Sequence, residues 1–495
     1  MSKTEKNMLI VAICMAMFLA AIESTILLLA IPIIVKDLHG FDLISHVFSV
    51  YLLTSAISTP VYGKMSDMYG RKNAMLVGMT IFIAGSAFCG LSQTMVVLII
   101  SRAIKGLGAG SILTVSFTIV GDVFPLNERG KIQGAISMVW GVAALIGPFV
   151  GGLLINFLSW HWIFFIVIPL GVPTFFIIQT KFNETIVKRK HRIDVSGIIS
   201  LSLAMIAFLS IFILGEEGGT WLNIRNILLF IISAVMLFVF YRIEKRAVEP
   251  LVPFDVLTKS SIFINLIAMI FTGVLIGVDV YTPIYLQNVR GFGPLVAGLI
   301  LLPMSVSWTL VSIPMGKLVI RFGGKPVNLV GTILTIISLV PILVFTKNSE
   351  VAFLIAAIFF MGIGLGIGMT TQTMLIQESV GFEKRGSAIA VNTLLKTLGQ
   401  TIGISVFGAV FNGTIVKGFS QAGITEYNLG NLYDLSSYSS GVSWDQIVDV
   451  LTTAIHTVGL IFICMTIVCI VLSAIMPRPP ISERSLNSNN AENQE

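Results

Sequence analysis

The first feature of the sequence that could do chemistry is an acidic side chain inside an apolar stretch. Glu23 lies in the middle of "FLAAIESTILLLAIP" (18–32), which otherwise has the composition of a membrane span. A carboxylate at the centre of a membrane helix costs about 2.5–3.5 kcal/mol, and such residues usually serve in proton relays or ion pathways. Asp279, in "GVDVYTPIYLQ", is a second acid of this kind, and Arg102 is a basic residue in another apolar run. A carboxylate beside a cation can bind and release a proton when its hydration or its distance from that cation changes.

The composition excludes a water-soluble protein. Of the 495 residues, 55% are hydrophobic and 11% are charged, and the mean hydropathy is +0.93, whereas soluble domains contain about 25% charged residues. The four cysteines all lie in apolar runs without disulfide or metal-ligand spacing, so we expect no metal site and no cofactor. The first apolar segment is too long for a signal-peptide core and no cleavage site follows it. The sequence therefore predicts an all-α polytopic membrane protein.

Fourteen apolar runs are long enough to cross about 30 Å of hydrocarbon as helices. They lie at 8–30, 44–62, 74–92, 95–119, 132–157, 162–180, 196–214, 224–241, 262–286, 295–315, 327–345, 351–372, 387–411 and 453–475. An even number of spans places both termini on one side. With the termini inside, 23 of the 31 lysines and arginines fall in inner segments and 5 in outer ones. This excess predicts cytoplasmic termini and accounts for the net charge of +6 without a nucleic-acid partner.

The N-terminal and C-terminal halves of the chain are related by an internal repeat. The glycines and lysines of "GKMSDMYGRK" (63–72) recur in "GKLVIRFGGK" (316–325) at an offset of 253 residues. An offset of 256 residues relates the following positions: Asp122 and Glu378, Arg129 and Arg385, and Gly147 and Gly403. The same 256 residues separate Glu23 from Asp279. Transporters are often built from such repeats, so we expect the two acids to occupy corresponding places in two halves.

The repeat divides the chain into halves with an insertion between them. We expect an N-terminal six-helix half at 1–180, a linker with two inserted spans at 181–257, a C-terminal six-helix half at 258–476 and a disordered cytoplasmic tail at 477–495. The longest outer loop is expected at 412–452. No nucleotide-binding P-loop pattern occurs, so an ion gradient is the expected source of energy.

Helix geometry places the intramembrane charges at a common depth. Glu23 and Arg102 each lie about seven residues from the outer end of their spans, which corresponds to roughly 10 Å. They can form an ion pair if spans 1 and 4 touch. Asp279 lies at a similar depth in span 9. For each of the three, the alternative is a structural role in helix packing or register.

The motifs of this sequence resemble those of the major facilitator superfamily, and in particular its fourteen-span drug:proton antiporters. "GKMSDMYGRK" matches the loop motif of that family at Gly63, Asp67, Gly70, Arg71 and Lys72. "GVAALIGPFVGG" matches the fifth-span antiporter motif at Gly141, Gly147, Pro148, Gly151 and Gly152. "SRAIKGLGAG" resembles the fourth-span motif, with Arg102 in place and Lys105 where glutamine is usual. "SWHWIFFIVIPLG" resembles a further motif, with His161 and Val167 replacing its arginine and asparagine.

The resemblance implies a role for each set of residues. Glu23, Asp279 and Arg102 would couple transport to protons, and the loop motif would gate the cytoplasmic side. The antiporter-motif glycines would let helices pack closely while the two halves rock. Candidate residues of the substrate cavity are Tyr51, Lys105, Trp140, Tyr281, Tyr285 and Lys396. The aromatic residues could equally be packing or lipid-interface residues, and Lys105 could instead be a third member of the network of Glu23 and Arg102.

These observations predict the fold and function of the chain. The fold is expected to be the major facilitator fold, with two six-helix halves, two inserted central helices and fourteen spans in all. The function is expected to be proton-coupled export of drugs or other amphipathic or cationic compounds, by a monomeric carrier rather than an enzyme, in a bacterial plasma membrane. The alternatives are a carrier of the same fold for one defined solute, such as a tetracycline-like or metabolite exporter, and a non-transporting membrane receptor.

Overall fold

The structure is a computed structural model that describes residues 3–38, 44–182, 184, 194–215, 223–247, 250–292, 294–421 and 444–477. The described residues form sixteen α-helices, connected by turns and short 3₁₀ or π segments. The helices are α1 (Lys3–Leu38), α2 (Ile44–Tyr69), α3 (Arg71–Gly90), α4 (Met95–Val123), α5 (Leu126–Phe157), α6 (Trp162–Phe165), α7 (Val167–Lys181), α8 (Val195–Gly215), α9 (Ile224–Glu244), α10 (Lys259–Ile284), α11 (Pro294–Ser312), α12 (Met315–Phe322), α13 (Gly324–Leu339), α14 (Val351–Glu378), α15 (Arg385–Gln421) and α16 (Trp444–Ile475).

Helices occupy all fourteen segments in which spans were predicted. By length and hydropathy, eleven of the described helices could cross a membrane, or twelve if α11 and α12, which meet at 51°, are counted as one bent span. The all-helical fold is confirmed, whereas the count of fourteen spans stays a prediction. The predicted outer loop at 412–452 is shorter than expected, because α15 continues to Gln421 and α16 begins at Trp444. The predicted tail lies, from residue 478 onward, outside the described residues.

Local sequence signals explain where several helices begin. The Thr94 hydroxyl caps α4 by accepting a hydrogen bond from the backbone N–H of Val97, and the Thr258 hydroxyl caps α10 in the same way through Ser261. Gly70, at the turn between α2 and α3, has φ 92° and ψ 152°. Residues with a side chain rarely adopt that conformation, which explains a glycine at this turn.

The repeat predicted from the sequence is visible in the backbone. Gly323, the repeat counterpart of Gly70, precedes α13 with φ 83° and ψ 154°. In the first half α3 packs on α4, α2 on α4 and α1 on α5, and in the second half α13 packs on α14, α11 on α14 and α10 on α15. The halves meet through equivalent helices, since α2 packs on α15 and α5 packs on α11. Each half has its own apolar core.

The two inserted helices form a hairpin beside the junction of the halves. α8 packs on α9 and also contacts α2 of the first half and α15 of the second. Leu201, Met205 and Leu209 of α8 share an apolar cluster with Ala56 of α2 and with α15. The hairpin therefore covers the α2–α15 contact from the side.

Candidate functional site

The structure places Glu23 of α1 in an ion pair with Arg102 of α4. Arg102 donates from Nη1 to Glu23 Oε1, and the Nζ of Lys105 lies 3.0 Å from Glu23 Oε2. Glu23 is 3% exposed and Lys105 is fully buried. Arg102 and Lys105 are three residues apart on α4, so both point to the same neighbouring helix. One carboxylate thus lies between two cations in the apolar interior of the first half.

Neighbouring groups fix the positions of both cations. Arg102 donates from Nε to the Val47 carbonyl at 3.0 Å, and its guanidinium stacks 4.2 Å from the centre of the Tyr51 ring. Lys105 donates to the hydroxyl of Ser86 at 2.8 Å. We call Glu23, Arg102 and Lys105 the charge triad. With all three ionised, the charge triad has a net charge of +1, and Tyr51, predicted to line the cavity, covers one side of it.

Asp279 lies on α10 in the second half and has a different environment. Its side chain is exposed, whereas that of Glu23 is buried. Among the described residues the structure records no ion pair for it. Thr272, two turns earlier on the same helix face, donates to the Lys396 carbonyl of α15 at 3.0 Å. The side of α10 that bears Thr272 therefore contacts α15.

The repeat does not extend to the charge triad's cations. Adding 256 residues to Arg102 and Lys105 gives Ile358 and Met361, which are both apolar. With Tyr281, Tyr285 and other side chains they line a cavity of about 30 Å³ inside the second half. Both tyrosines, which were predicted to line the substrate cavity, are buried in the second core, and their role in substrate binding stays a prediction.

The remaining predicted cavity residues lie in two different settings. Lys396 is half-buried on α15 and donates from Nζ to the hydroxyl of Thr373 on α14 at 3.0 Å. Trp140 of α5 is exposed. A role in substrate binding stays a prediction for both.

Asp67 of the loop motif joins the two halves. Its carboxylate accepts hydrogen bonds from the backbone N–H groups of Gly386 and Ser387 at 2.8 and 2.7 Å, and from the Ser387 hydroxyl at 2.8 Å. These N–H groups belong to the first turn of α15, where a negative charge interacts favourably with the helix dipole. Burial raises the pKa of Asp67 to about 6, although Arg71 and the hydrogen bonds from Gly386 and Ser387 favour the charged form.

Arg71 of the loop motif is the centre of a second set of contacts. It pairs with Asp67 at 3.2 Å and with Asp122 at 2.7 Å, and it donates to the Phe382 carbonyl at 2.6 Å. Its guanidinium also lies 4.3 Å from the centre of the Phe382 ring. Since Phe382 belongs to the second half, Arg71 connects the halves at the end of the bundle that bears the loop motif. We call this end the motif end.

Two further ion pairs cross between the halves at the motif end. Arg129 donates to Glu378 at 2.7 Å, and Arg385 donates to Asp122 at 2.6 Å. The sequence repeat related these four residues, but the prediction gave them no role in the site. We call them the crossed ion pairs.

Glu184 is a further residue that the sequence did not indicate. Its two carboxylate oxygens each accept a 3.0 Å hydrogen bond, from the backbone N–H groups of Arg71 and Lys72. It therefore caps α3 and restrains the backbone of the loop motif. No motif singled it out, because it lies in a polar segment between helices.

The antiporter motif lies along the contacts of α5 with α1 and α11. A Cβ atom added to Gly147 would lie 2.0 Å from the Thr25 hydroxyl, and one added to Gly141 would lie 2.3 Å from Ser305. The corresponding atom at Gly151 would lie 2.9 Å from Ile26, whereas at Gly152 no atom lies within 4 Å. The side chain of Pro148 lies outside the described residues. Three of the four glycines therefore permit close helix packing, and Gly147 does so against Thr25, two residues from Glu23.

Comparison with known sequences identifies similar proteins. The sequence profile of the Major Facilitator Superfamily matches residues 13–404. "Multidrug resistance protein 3" of Bacillus subtilis is 32% identical over 415 residues, which cover 83% of this chain and 81% of that protein. "Multidrug efflux pump SdrM" of Staphylococcus aureus is 29% identical over 428 residues, with coverage of 86% and 92%.

Comparison with solved structures shows the same fold. The human organic anion transporter MFSD10 matches with a TM-score of 0.64 at 12% identity, covering 95% of this chain and 100% of that one. The proton:xylose symporter XylE matches with a TM-score of 0.61 at 13% identity, covering 96% and 97%. At these identities the likeness concerns the arrangement of the helices alone.

Proposed function

The chain belongs to the Major Facilitator Superfamily, and we propose that it exports drugs or other amphipathic toxic compounds in exchange for protons. The observation that carries this proposal is the charge triad: a titratable carboxylate buried between two cations in the apolar interior of one half. Intramembrane acids of this kind are functional by default. The similarity to multidrug transporters of two bacteria supports the substrate class.

Glu23 is the proposed proton carrier. In the observed conformation its ionised carboxylate balances one of two nearby cations, so a proton can be accepted only at the expense of both ion pairs. When the halves rearrange, a change in hydration or in the distance from Arg102 and Lys105 would allow that exchange. Binding and release of the proton would then alternate with the conformation.

Asp279 is the proposed contact for the substrate. It is the acid related to Glu23 by the repeat, and its side chain is exposed. The positions that correspond to Arg102 and Lys105 in the second half are apolar, so no cation at these positions neutralises it. A cationic or amphipathic compound can neutralise this charge. Proton and substrate would thus exchange because each neutralises a carboxylate of the same carrier.

The contacts at the motif end support alternating access. Asp67, Arg71 and the crossed ion pairs hold the halves together there, so the observed conformation is closed at this end. We place the motif end in the cytoplasm, with both termini, in a bacterial plasma membrane, because basic residues are concentrated on that side. The conformation is then outward-facing, the state in which an exporter releases substrate and accepts a proton. We propose a monomer of the fourteen-span antiporter group.

The available energy is sufficient for export. A proton contributes about 2.3 kcal/mol per 100 mV of membrane potential and about 1.4 kcal/mol per pH unit. Together these support roughly a few hundredfold accumulation of a neutral substrate per proton.

Vesicle transport tests the proposal. Proteoliposomes with wild-type protein should move a lipophilic cationic dye against its gradient when a pH gradient is imposed, and the movement should stop with a protonophore. Glu23→Gln should abolish the response to the pH gradient, and Asp279→Asn should weaken transport of the cation more than that of a neutral substrate. Glu350→Gln, which removes an exposed acid outside the bundle interior, is the matched control and should behave like wild type. Unchanged proton-driven transport in Glu23→Gln would refute the proposed coupling.

A further inference from the structure

A second pair of acids lies outside the charge triad, where the inserted hairpin begins and ends. Asp194 precedes α8, and its Oδ1 accepts hydrogen bonds from the Ser196 hydroxyl at 2.7 Å and from the Gly197 N–H at 2.9 Å. Glu244 is the last residue of α9, and its Oε1 accepts a hydrogen bond from the Val252 N–H. Each carboxylate therefore has one oxygen that is held by donors of the hairpin and its connection.

The other oxygen of each carboxylate is buried without a hydrogen-bond donor. Asp194 Oδ2 and Glu244 Oε2 are both inaccessible and unpartnered, and Glu244 is only 2% exposed. They converge on one small volume above Gly197, where an added Cβ would lie 2.4 Å from Asp194 Oδ2 and 3.1 Å from Glu244 Oε2. The two side chains are close enough to share a hydrogen bond if one of them is protonated. Glycine at position 197 leaves the room for this contact.

Two ionised carboxylates are unstable in such a place. Like charges that share a buried site disfavour the doubly ionised form, and a single shared proton is the common solution. Among the described residues, Lys64 of α2 is the cation whose charge acts on Glu244. Lys64 is half-buried and forms no ion pair with either acid among the described contacts, while Lys245 and Arg246, which follow Glu244, are exposed.

We propose that Asp194 and Glu244 form a proton-binding site that is separate from the charge triad. The proton comes from solvent, forms an O–H bond with one of the two unpartnered oxygens, and is donated to the other as a hydrogen bond. Protonation converts the repulsion between Asp194, which directly precedes α8, and Glu244, the last residue of α9, into an attraction. The site therefore joins α8 and α9 at the base of the hairpin.

Because of where this site lies, binding of the proton affects the junction between the two halves. α8 contacts both α2 and α15, the helices through which the two halves meet. Lys64, which faces the site, directly follows Gly63 of the loop motif, and a Cβ on Gly63 would collide with Ala390 of α15 at 2.2 Å. A hairpin held together at its base thus supports the closely packed α2–α15 junction. This inference does not depend on which substrate is exported or on Glu23 as the proton carrier.

Thermal unfolding of the purified full-length protein tests the site. Glu244→Gln replaces the shared proton by a permanent N–H donor to Asp194. In Asp194→Asn the new amide N–H donates to Glu244 instead, and its Oδ1 can still accept from Ser196 and Gly197. The protonated pair stabilises the fold, so wild type gains stability as the pH falls and loses it as the pH rises. Both variants should therefore unfold at a higher temperature than wild type at pH 8, by about 2 °C, and the difference should shrink toward zero at about pH 5.

The same unfolding experiment includes a control variant and has two outcomes that would overturn the proposal. Glu128→Gln removes an exposed acid at the same end of the bundle and should show no pH-dependent difference from wild type. A difference between Glu244→Gln and wild type that is the same at every pH would overturn the proposal. If sodium or potassium chloride, but not choline chloride, removed the difference at pH 8, a metal cation rather than a proton would occupy the pair, and the proposal would also fail.

Discussion

Arg129 of α5 and Glu378 of α14 form a 2.7 Å ion pair between the two halves of the protein. The repeat generates its counterpart, in which Arg385 of the second half pairs with Asp122 of the first at 2.6 Å. Each half thus supplies one acid and one base to its neighbour at the motif end. Because both ion pairs must separate when this end opens, they contribute directly to the balance between the two conformations.

We expect Glu378→Gln to shift the protein toward the conformation that is open at the motif end. Removing one partner of a buried ion pair leaves the other without compensation, at a cost of about 3–5 kcal/mol, and that cost applies only while the halves are closed. The shift can be measured as faster alkylation of a single cysteine placed at position 390, where Ala390 packs against Gly63. The exchanged double variant Arg129→Glu with Glu378→Arg should restore part of the protection, and unchanged alkylation in Glu378→Gln would contradict the role assigned to the pair.

Closure of the motif end should depend on pH through Asp67. Burial raises its pKa to about 6 in the closed conformation, whereas an exposed aspartate has a pKa of about 3.9. The closed conformation therefore binds the proton more tightly, so its population should rise as the pH falls from 7 toward 4, by at most tenfold per pH unit. Asp67→Asn should remove this dependence from the alkylation assay. The same slope in wild type and Asp67→Asn would show that another group is responsible.

Lys105→Gln should change the pH profile of transport without abolishing it. Glutamine can still donate to Ser86, but the net charge of the triad falls from +1 to 0, so the proton meets less repulsion when it approaches Glu23. We expect half-maximal proton-driven transport at a higher pH, whereas Lys105→Arg, which keeps the charge, should leave the midpoint close to that of wild type. Coincident profiles for Lys105→Gln and wild type would exclude an influence of Lys105 on proton exchange.

Two glycines of the antiporter motif provide a matched comparison. A methyl group on Gly147 would lie 2.0 Å from the Thr25 hydroxyl, whereas on Gly152 it would meet no atom within 4 Å. Overpacking of this kind costs about 1–3 kcal/mol, and here it would separate α5 from α1 beside Glu23. Gly147→Ala should lower transport several-fold at equal protein in the membrane, and Gly152→Ala should not. Equal activity of the two variants would show that the α1–α5 contact is not required to be this close.

Much of the arrangement follows from patterns that a single sequence contains. The spacing of apolar runs predicts the helices, and the offset between Gly70 and Gly323 predicts a shared backbone conformation that the structure shows. The depths of Glu23 and Arg102 in antiparallel helices predict that they can meet. Helix positions and residue depths follow from the length of each apolar run and from the regular rise of an α-helix across the membrane.

Other features depend on contacts that no pattern encodes. The sequence gives no sign that Arg129 pairs with Glu378 rather than with an acid of its own half, because that choice depends on how the halves dock. Tyr281 lies in the last turn of α10 and Tyr285 begins the π-helical segment that follows it, and both pack in the second core, which the sequence does not indicate. Glu184 reaches the backbone of α3, and Asp194 reaches Glu244, through segments at or between helix ends, where periodicity provides no information.

Proton release on substrate binding tests the central proposal most directly. Purified wild-type protein in weakly buffered detergent solution, at a pH where it binds a lipophilic cation, should release a proton into solution when that cation is added. Glu23→Gln should bind the cation without releasing a proton, while Glu350→Gln should release as much as wild type. Proton release of wild-type size from Glu23→Gln would contradict the assignment of Glu23 as the group that exchanges its proton for substrate.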